Sequence, residues 1–92
     1  MAFRRADIVW SPEAVEALGA VTSRQIQTEI VRRVELASMG PGLHKARPTA
    51  TWGTVYLFYQ RPFVVVYRFR NEILEVLDVV DATFMASYEI KD

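Results

Sequence analysis

The spacing of apolar residues changes along the chain, and each pattern predicts a different kind of element. A short β-prone run from Phe3 to Trp10 comes first. Apolar residues then recur at the three- and four-residue spacing of helices, and after Trp52 they form runs of strand length. We therefore expect an α+β domain with an N-terminal strand, a helical hairpin and then an antiparallel three-stranded meander.

Capping residues mark the ends of the two predicted helices. Ser11 suits the N-cap of a first helix over residues 12–18, which Gly19 is expected to end in the left-handed conformation. Thr22 begins a capping-box pattern, and this predicts a second helix over 23–39. The buried stripe of the second helix is expected to contain Ile26, Ile30, Val34 and Ala37.

An irregular connection over residues 44–52 separates the helices from the predicted meander. A three-residue connection over 60–62 joins its first two strands. A two-residue turn joins the last two, and its first residue, Asn71, tolerates a positive φ. The predicted strands are Thr54–Tyr59, Phe63–Arg70 and Ile73–Val80.

These connections determine which strand residues share a face of the predicted sheet. The helices are expected to cover a face with Val55, Leu57, Tyr59, Phe63, Val65, Tyr67, Phe69, Leu74, Val76 and Val80. The other face then carries Thr54, Tyr56, Phe58, Val64, Val66, Arg68, Arg70, Ile73, Glu75, Leu77 and Val79. That face is also mostly apolar, unlike the solvated face of an antiparallel sheet. We expect the C-terminal tail (residues 82–92), a second copy or a partner protein to cover it.

Composition restricts the class of protein. The 92 residues predict one domain over 1–92, and 51% hydrophobic against 24% charged residues favours a folded chain. The sequence has no cysteine and a single histidine, His44, so we expect no metal site and no cofactor. It shows no signal-peptide pattern and no apolar run of about 18 residues, which predicts a cytoplasmic protein without membrane association.

Charge is unevenly distributed, although the formal net charge is zero. From Arg24 to Arg70 there are eight basic and two acidic residues, whereas residues 71–92 contain six acidic residues and one lysine. This asymmetry indicates either a basic surface for an acidic partner or charges that pair within the fold. One internal pair is expected directly, because Arg68 lies opposite Glu75 in the predicted hairpin.

Several phrases of the sequence resemble the ParE/RelE superfamily of toxins from type II toxin–antitoxin systems. They are Ile8–Ala14, the Pro-Gly-Leu-His loop ending at His44, and Pro62–Phe69 leading into Ile73–Val80. The similarity covers residues 6–82, nearly the whole chain. It implies a small α+β toxin whose open sheet face is wrapped by a cognate antitoxin. RelE-like members cleave mRNA in the ribosomal A site, and ParE-like members inhibit DNA gyrase.

The resemblance favours a binding protein over an enzyme. RelE-like nucleases carry basic residues on the strands and near the C-terminus, because RNA cleavage without a metal needs groups that stabilise the phosphorane charge. Here the family's arginine at the start of the middle strand corresponds to Val64. The family's lysine-rich first strand corresponds to Thr54–Tyr59, which has no basic residue. Of the family's terminal groups, only Tyr88 lies near a matching position.

The resemblance therefore implies a ParE-like toxin that acts by binding a protein such as DNA gyrase, with no catalytic residue. The antitoxin or target would contact Tyr56, Phe58, Val66, Arg68, Arg70 and Leu77. Three alternatives stay open. They are a dimeric interaction module of the same fold, an inactive member of the superfamily, and a ribosome-dependent mRNA endoribonuclease using Arg47, Arg61, Arg68 and Tyr88.

Overall fold

The computed structural model describes residues 6–40, 46–49 and 51–83, and it has the predicted α+β class, with two helices and a five-stranded mixed sheet. The strand order is β1-β5-β4-β3-β2, with β1 parallel to β5 and every other neighbouring pair antiparallel. The predicted meander therefore has four strands rather than three. The elements are β1 (Asp7–Trp10), α1 (Pro12–Gly19), α2 (Arg24–Ser38), β2 (Ala46–Thr49), β3 (Gly53–Gln60), β4 (Phe63–Arg70) and β5 (Ile73–Asp81).

Ser11 both caps α1 and attaches it to the sheet. Its hydroxyl oxygen accepts a hydrogen bond from the Ala14 amide at 3.0 Å and donates to the Leu77 carbonyl at 2.7 Å. The Ser11 amide donates to the Val76 carbonyl at 2.9 Å, which continues the pairing of β1 with β5. The predicted cap is confirmed, and it places the first turn of α1 beside the middle of β5.

Two details of the predicted helix ends are wrong. The N-cap of α2 is Ser23 rather than Thr22, since the Ser23 hydroxyl accepts from the Ile26 amide at 3.2 Å. Helix α1 does not end in a left-handed glycine, because Ala20 caps it with a right-handed backbone at φ −81°. Both helices nevertheless end within one residue of their predicted bounds.

Strand β2 lies in the segment for which the sequence predicted an irregular connection. It pairs with the first half of β3, from Gly53 to Tyr56. The Thr49 hydroxyl links the two strands by donating to the Gly53 carbonyl at 2.7 Å and accepting from the Trp52 amide at 3.0 Å. Pro48 has no amide proton to offer a ladder, so it is tolerated on the outer strand of a sheet but disguises that strand in the sequence.

The hairpin of β3 and β4 has a two-residue turn instead of the predicted three-residue connection. Gln60 lies opposite Phe63, and Phe58 lies opposite Val65. This shifts β3 by one residue from the predicted register, and a one-residue shift moves every side chain of a strand to the opposite face. Tyr56 and Phe58 therefore face the helices, while Val55 and Leu57 lie on the other side of the sheet.

The hairpin of β4 and β5 follows the prediction only as far as a β-bulge. Asn71 and Glu72 form the expected turn, with φ values of 52° and 64°. Arg68 pairs with Glu75 as predicted, but the register shifts between Val66 and Tyr67, and Val66 faces Asp78 rather than Leu77. The two-to-one pairing of a bulge moves the final residues of β5 by one place.

The sheet has a buried cluster on each side. We call the side covered by α1 and α2 the helix side; its buried cluster is Ala6, Ala14, Ile30, Val34, Ala37, Phe58, Val65, Tyr67, Leu74, Val76 and Val79. We call the opposite side the far side; its buried cluster is Val55, Leu57, Val64, Val66 and Leu77, flanked by Trp52, Val80 and Ala82. In the described parts of the chain, no helix is long and apolar enough to cross a membrane.

Candidate protein-binding face

The structure separates the six residues that the sequence predicts for a partner-binding face. Val66 and Leu77 lie in the far-side cluster, whereas Phe58 belongs to the helix-side core and Tyr56 packs against it. Arg68 and Arg70 alternate with helix-side residues of β4 and so lie on the far side. Four of the six predicted residues therefore lie on the far side, whereas the two aromatic residues, Tyr56 and Phe58, do not.

The apolar part of the far side is closed within the single chain. Val55, Val64 and Val66 are each 0% exposed, and Leu57 and Leu77 are also buried. These apolar side chains are therefore covered within the single chain, and the surface left accessible on the far side lies elsewhere. Of the C-terminal tail (residues 82–92) that was expected to cover this face, Ala82 packs against the cluster, and residues 84–92 lie outside the described residues.

The accessible part of the far side is its charged end, and its positions follow from the strand register. Arg47 of β2 lies opposite Val55, and continuing the β3–β4 register by one residue places Arg68 beside Val55 on the other side. Two strand spacings put the Cα atoms of Arg47 and Arg68 about 10 Å apart. Arg70 follows about 7 Å further along β4. Exposed Val9 and Ile73 border this group at the other edge.

The three arginines differ in how their charges are compensated. The Arg68 Nε atom lies 2.8 Å from the Glu75 Oε1 atom, which confirms the predicted cross-strand ion pair. Arg47 and Arg70 are exposed, and within the described part of the chain neither forms an ion pair. Among the described residues, Arg47 and Arg70 are therefore the two arginines of this group without an ion-pair partner, and they lie on either side of the Arg68–Glu75 pair. This arrangement suits a partner segment that carries carboxylates.

We expect the Arg68–Glu75 pair to orient side chains more than it stabilises the fold. Both side chains are about one-third exposed, and such pairs contribute roughly 0.2–1 kcal/mol. A double-mutant cycle with Arg68→Ala and Glu75→Ala should yield a coupling energy within that range by urea denaturation. A coupling above about 2 kcal/mol would contradict the pair's solvent screening.

The two displaced aromatic residues join a cluster on the helix side. The ring centroids of Tyr56 and Tyr67 are 5.6 Å apart in a stacked arrangement, and Phe69 meets both rings edge-on at 5.9 Å. Phe58 lies 6.3 Å from Tyr67, and the Arg33 guanidinium carbon is 4.4 Å from the Phe58 ring centroid. Burial raises the pKa of the Tyr67 phenol, and its ring belongs to the buried helix-side cluster.

The three described residues of the nuclease alternative do not all lie together. Arg61 is in the β3–β4 turn and Arg68 is near the opposite end of β4. At a rise of about 3.3 Å per residue, their backbones are roughly 20 Å apart. Arg47 is near Arg68 but far from Arg61, and Tyr88 lies outside the described residues. One phosphate cannot contact both Arg61 and Arg68.

The acidic residues at the end of β5 have separate local roles. Asp78 accepts a hydrogen bond from the Val79 amide at 2.8 Å, and partial burial raises the pKa of its carboxyl group. Asp81 accepts from both the amide and the hydroxyl of Thr83, at 2.9 Å and 2.7 Å, and these bonds lower the pKa of Asp81. Asp81 therefore fixes the turn after β5.

Two arginines occupy positions that the sequence did not indicate. The sequence indicates Arg47 only for the nuclease alternative, because Pro48 is atypical of strands and β2 around it is not predicted. The four-residue spacing of Glu29 and Arg33 favours an ion pair on α2, yet the Arg33 guanidinium donates to the Tyr59 carbonyl while Glu29 pairs with Arg32. The alternation of charged residues along α2 gave no signal for this, since contacts between a helix and a sheet edge depend on their packing.

No protein-family model and no curated protein match the chain.

Proposed function

We propose that this protein is the toxin of a type II toxin–antitoxin system, that it is ParE-like, and that it acts by binding a protein such as DNA gyrase. A cognate antitoxin would neutralise it, and both events would take place in the cytoplasm. The observation that carries the proposal is the chain order of strand, two helices and antiparallel strands, combined with sequence phrases that resemble the superfamily. The finer RelE/ParE-like arrangement of the sheet is part of this proposal.

Binding rather than catalysis is supported by the placement of the basic residues. A phosphorane transition state needs several donors around one phosphate. Arg61 and Arg68 are too far apart to share a phosphate, and Glu75 already neutralises Arg68. The position corresponding to the family's strand arginine is Val64, which is buried.

The proposed contact surface is the charged end of the far side. An extended or helical antitoxin segment would place carboxylates against Arg47 and Arg70, and its apolar residues against exposed Val9 and Ile73. The buried valines beneath would hold the strands in register rather than touch the partner. The far-side contact set therefore becomes Arg47, Arg68 and Arg70 with the apolar border, instead of an aromatic centre.

The first test is the neighbouring reading frame together with expression in bacteria. A short adjacent gene encoding a DNA-binding domain and an amphipathic helix is expected, and its co-expression should relieve growth arrest by the present protein. Arrest should come with a DNA-damage response, and purified protein should inhibit DNA supercoiling by gyrase. Codon-specific mRNA cleavage on programmed ribosomes would overturn the proposal in favour of a RelE-like nuclease. Absence of growth arrest would favour an inactive or purely structural member.

A charge reversal tests the proposed contact surface. Arg70→Glu should weaken binding of the antitoxin or target by about tenfold or more, because an attractive charge becomes a repulsive one. Arg24→Glu is the matched control, since Arg24 is an exposed arginine at the start of α2, on a different surface. Calorimetry should show native affinity for the control. Equal losses in both variants would show that only net charge matters.

A further inference from the structure

We propose that Arg33 occupies the edge of β3 that faces away from β4 and thereby prevents β3 from pairing with β3 of a second copy of this chain. An unpaired strand edge presents amide and carbonyl groups that readily accept another strand. The inference concerns the assembly of the protein and holds whether or not the proposed toxin function is correct. It rests on the pairing of β3, on the contacts of Arg33 and on the composition of the strand.

The two neighbours of β3 cover unequal lengths of it. Strand β4 pairs with it from Tyr56 to Gln60, whereas among the described residues β2 reaches only from Gly53 to Tyr56. Tyr59 lies three residues past the last residue that β2 pairs with. Its backbone carbonyl accepts a hydrogen bond from the side chain of Arg33 on helix α2. The carbonyl therefore points away from β4, toward the place that another strand would occupy.

Arg33 holds this position through three contacts. Its Nη1 atom donates to the Tyr59 carbonyl and lies 3.3 Å from the Gln60 side-chain oxygen. Its guanidinium carbon is 4.4 Å from the centroid of the Phe58 ring, a distance typical of cation–π contacts. The charged group thus occupies the hydrogen-bonding direction of an incoming strand and would have to be displaced and desolvated before the strand could pair.

The composition of β3 makes a second copy the expected occupant. Residues 54–60 read Thr-Val-Tyr-Leu-Phe-Tyr-Gln, with no charge and no proline. Such β-prone segments pair with identical segments when their edges are exposed. Two copies related by a twofold axis would use the same residues on both sides, so one edge is sufficient for a closed dimer. β3 itself supplies no charged residue, and among the described residues Arg33 of α2 brings a charge to this edge.

The test compares two neighbouring arginines of α2. Arg33→Met keeps an unbranched stem over Phe58 but removes every donor, and Arg32→Met removes an exposed arginine whose partner is Glu29. The sedimentation equilibrium of Arg33→Met should show dimers at concentrations at least about tenfold lower than native protein, since pairing adds two or more backbone hydrogen bonds. Arg32→Met should sediment as the native protein does.

Two further measurements locate the interface. Hydrogen exchange of the Arg33→Met dimer should show new protection at residues 57–60. Adding Tyr59→Lys places a charge on the exposed edge and should restore the native sedimentation profile. If Arg33→Met fails to fold, Arg33→Lys replaces it and should show a smaller shift in the same direction. A folded Arg33 variant that sediments like Arg32→Met, or a dimer protected elsewhere, would overturn the proposal.

Discussion

Replacing Ile30 with alanine should lower the free energy of unfolding by about 2–5 kcal/mol, a large share of a small domain's stability. Ile30 is 0% exposed and lies on the face of α2 that packs against the sheet, together with Val34 and Ala37. Removing its branched side chain eliminates buried apolar contacts and leaves a cavity that the two packed layers cannot fully close.

The matched control for this prediction is Leu36→Ala, on the same helix. Leu36 is 44% exposed, so its truncation should change the free energy of unfolding by less than about 1 kcal/mol. Urea denaturation followed by circular dichroism measures the stability of both variants. The comparison is valid if the free energy of unfolding depends on urea concentration with the same slope in both. If both variants lost the same stability, α2 would not bury the Ile30 face.

Local rules predicted the helices because helix ends depend on neighbouring residues. Ser11 caps α1 as its position before Pro12 indicated. The apolar spacing on α2 correctly indicated Ile30 and Val34 as buried residues. The Asn71-Glu72 turn also followed from its sequence, and with it the pairing of Arg68 with Glu75.

Strand register could not be predicted because it depends on single-residue differences in turns and bulges. A connection of two residues instead of three before Phe63 exchanges the two sides of β3. The bulge opposite Val66 likewise exchanges the faces on which the last residues of β5 lie. No residue type in Val76–Val79 indicates that a bulge occurs there. The candidate face depended on these registers, so it lost Tyr56 and Phe58 while it kept Arg68 and Arg70, which are close to the correctly predicted turn.

The corrected faces also change what a partner would contact. Valines that are buried on both sides of β4 make this strand the centre of a two-sided core, as in sheets covered on both faces. The proposed partner would reach the charged end beside Arg47 and Arg70 without opening that core. Binding energy would therefore come from electrostatic complementarity at an accessible surface, and it should weaken as ionic strength rises.

The register of β3 can be tested with two neighbouring aromatic residues. Phe58 is 2% exposed and contacts the helix-side core, whereas Tyr59 is 53% exposed. The three-residue connection expected from the sequence would reverse these environments, placing Tyr59 beneath the helices. Phe58→Ala and Tyr59→Ala therefore distinguish the two registers through their effects on stability.

We expect Phe58→Ala to lower the free energy of unfolding by about 3–5 kcal/mol, since it removes a buried ring that contacts Tyr67 and supports the Arg33 guanidinium. Tyr59→Ala should cost less than about 1 kcal/mol, because its backbone carbonyl, which Arg33 binds, is retained. Urea denaturation of the two variants at equal protein concentration measures the difference. If Tyr59→Ala lost more stability than Phe58→Ala, the result would support the register with the three-residue connection. In that register Phe58 would lie exposed on the far side.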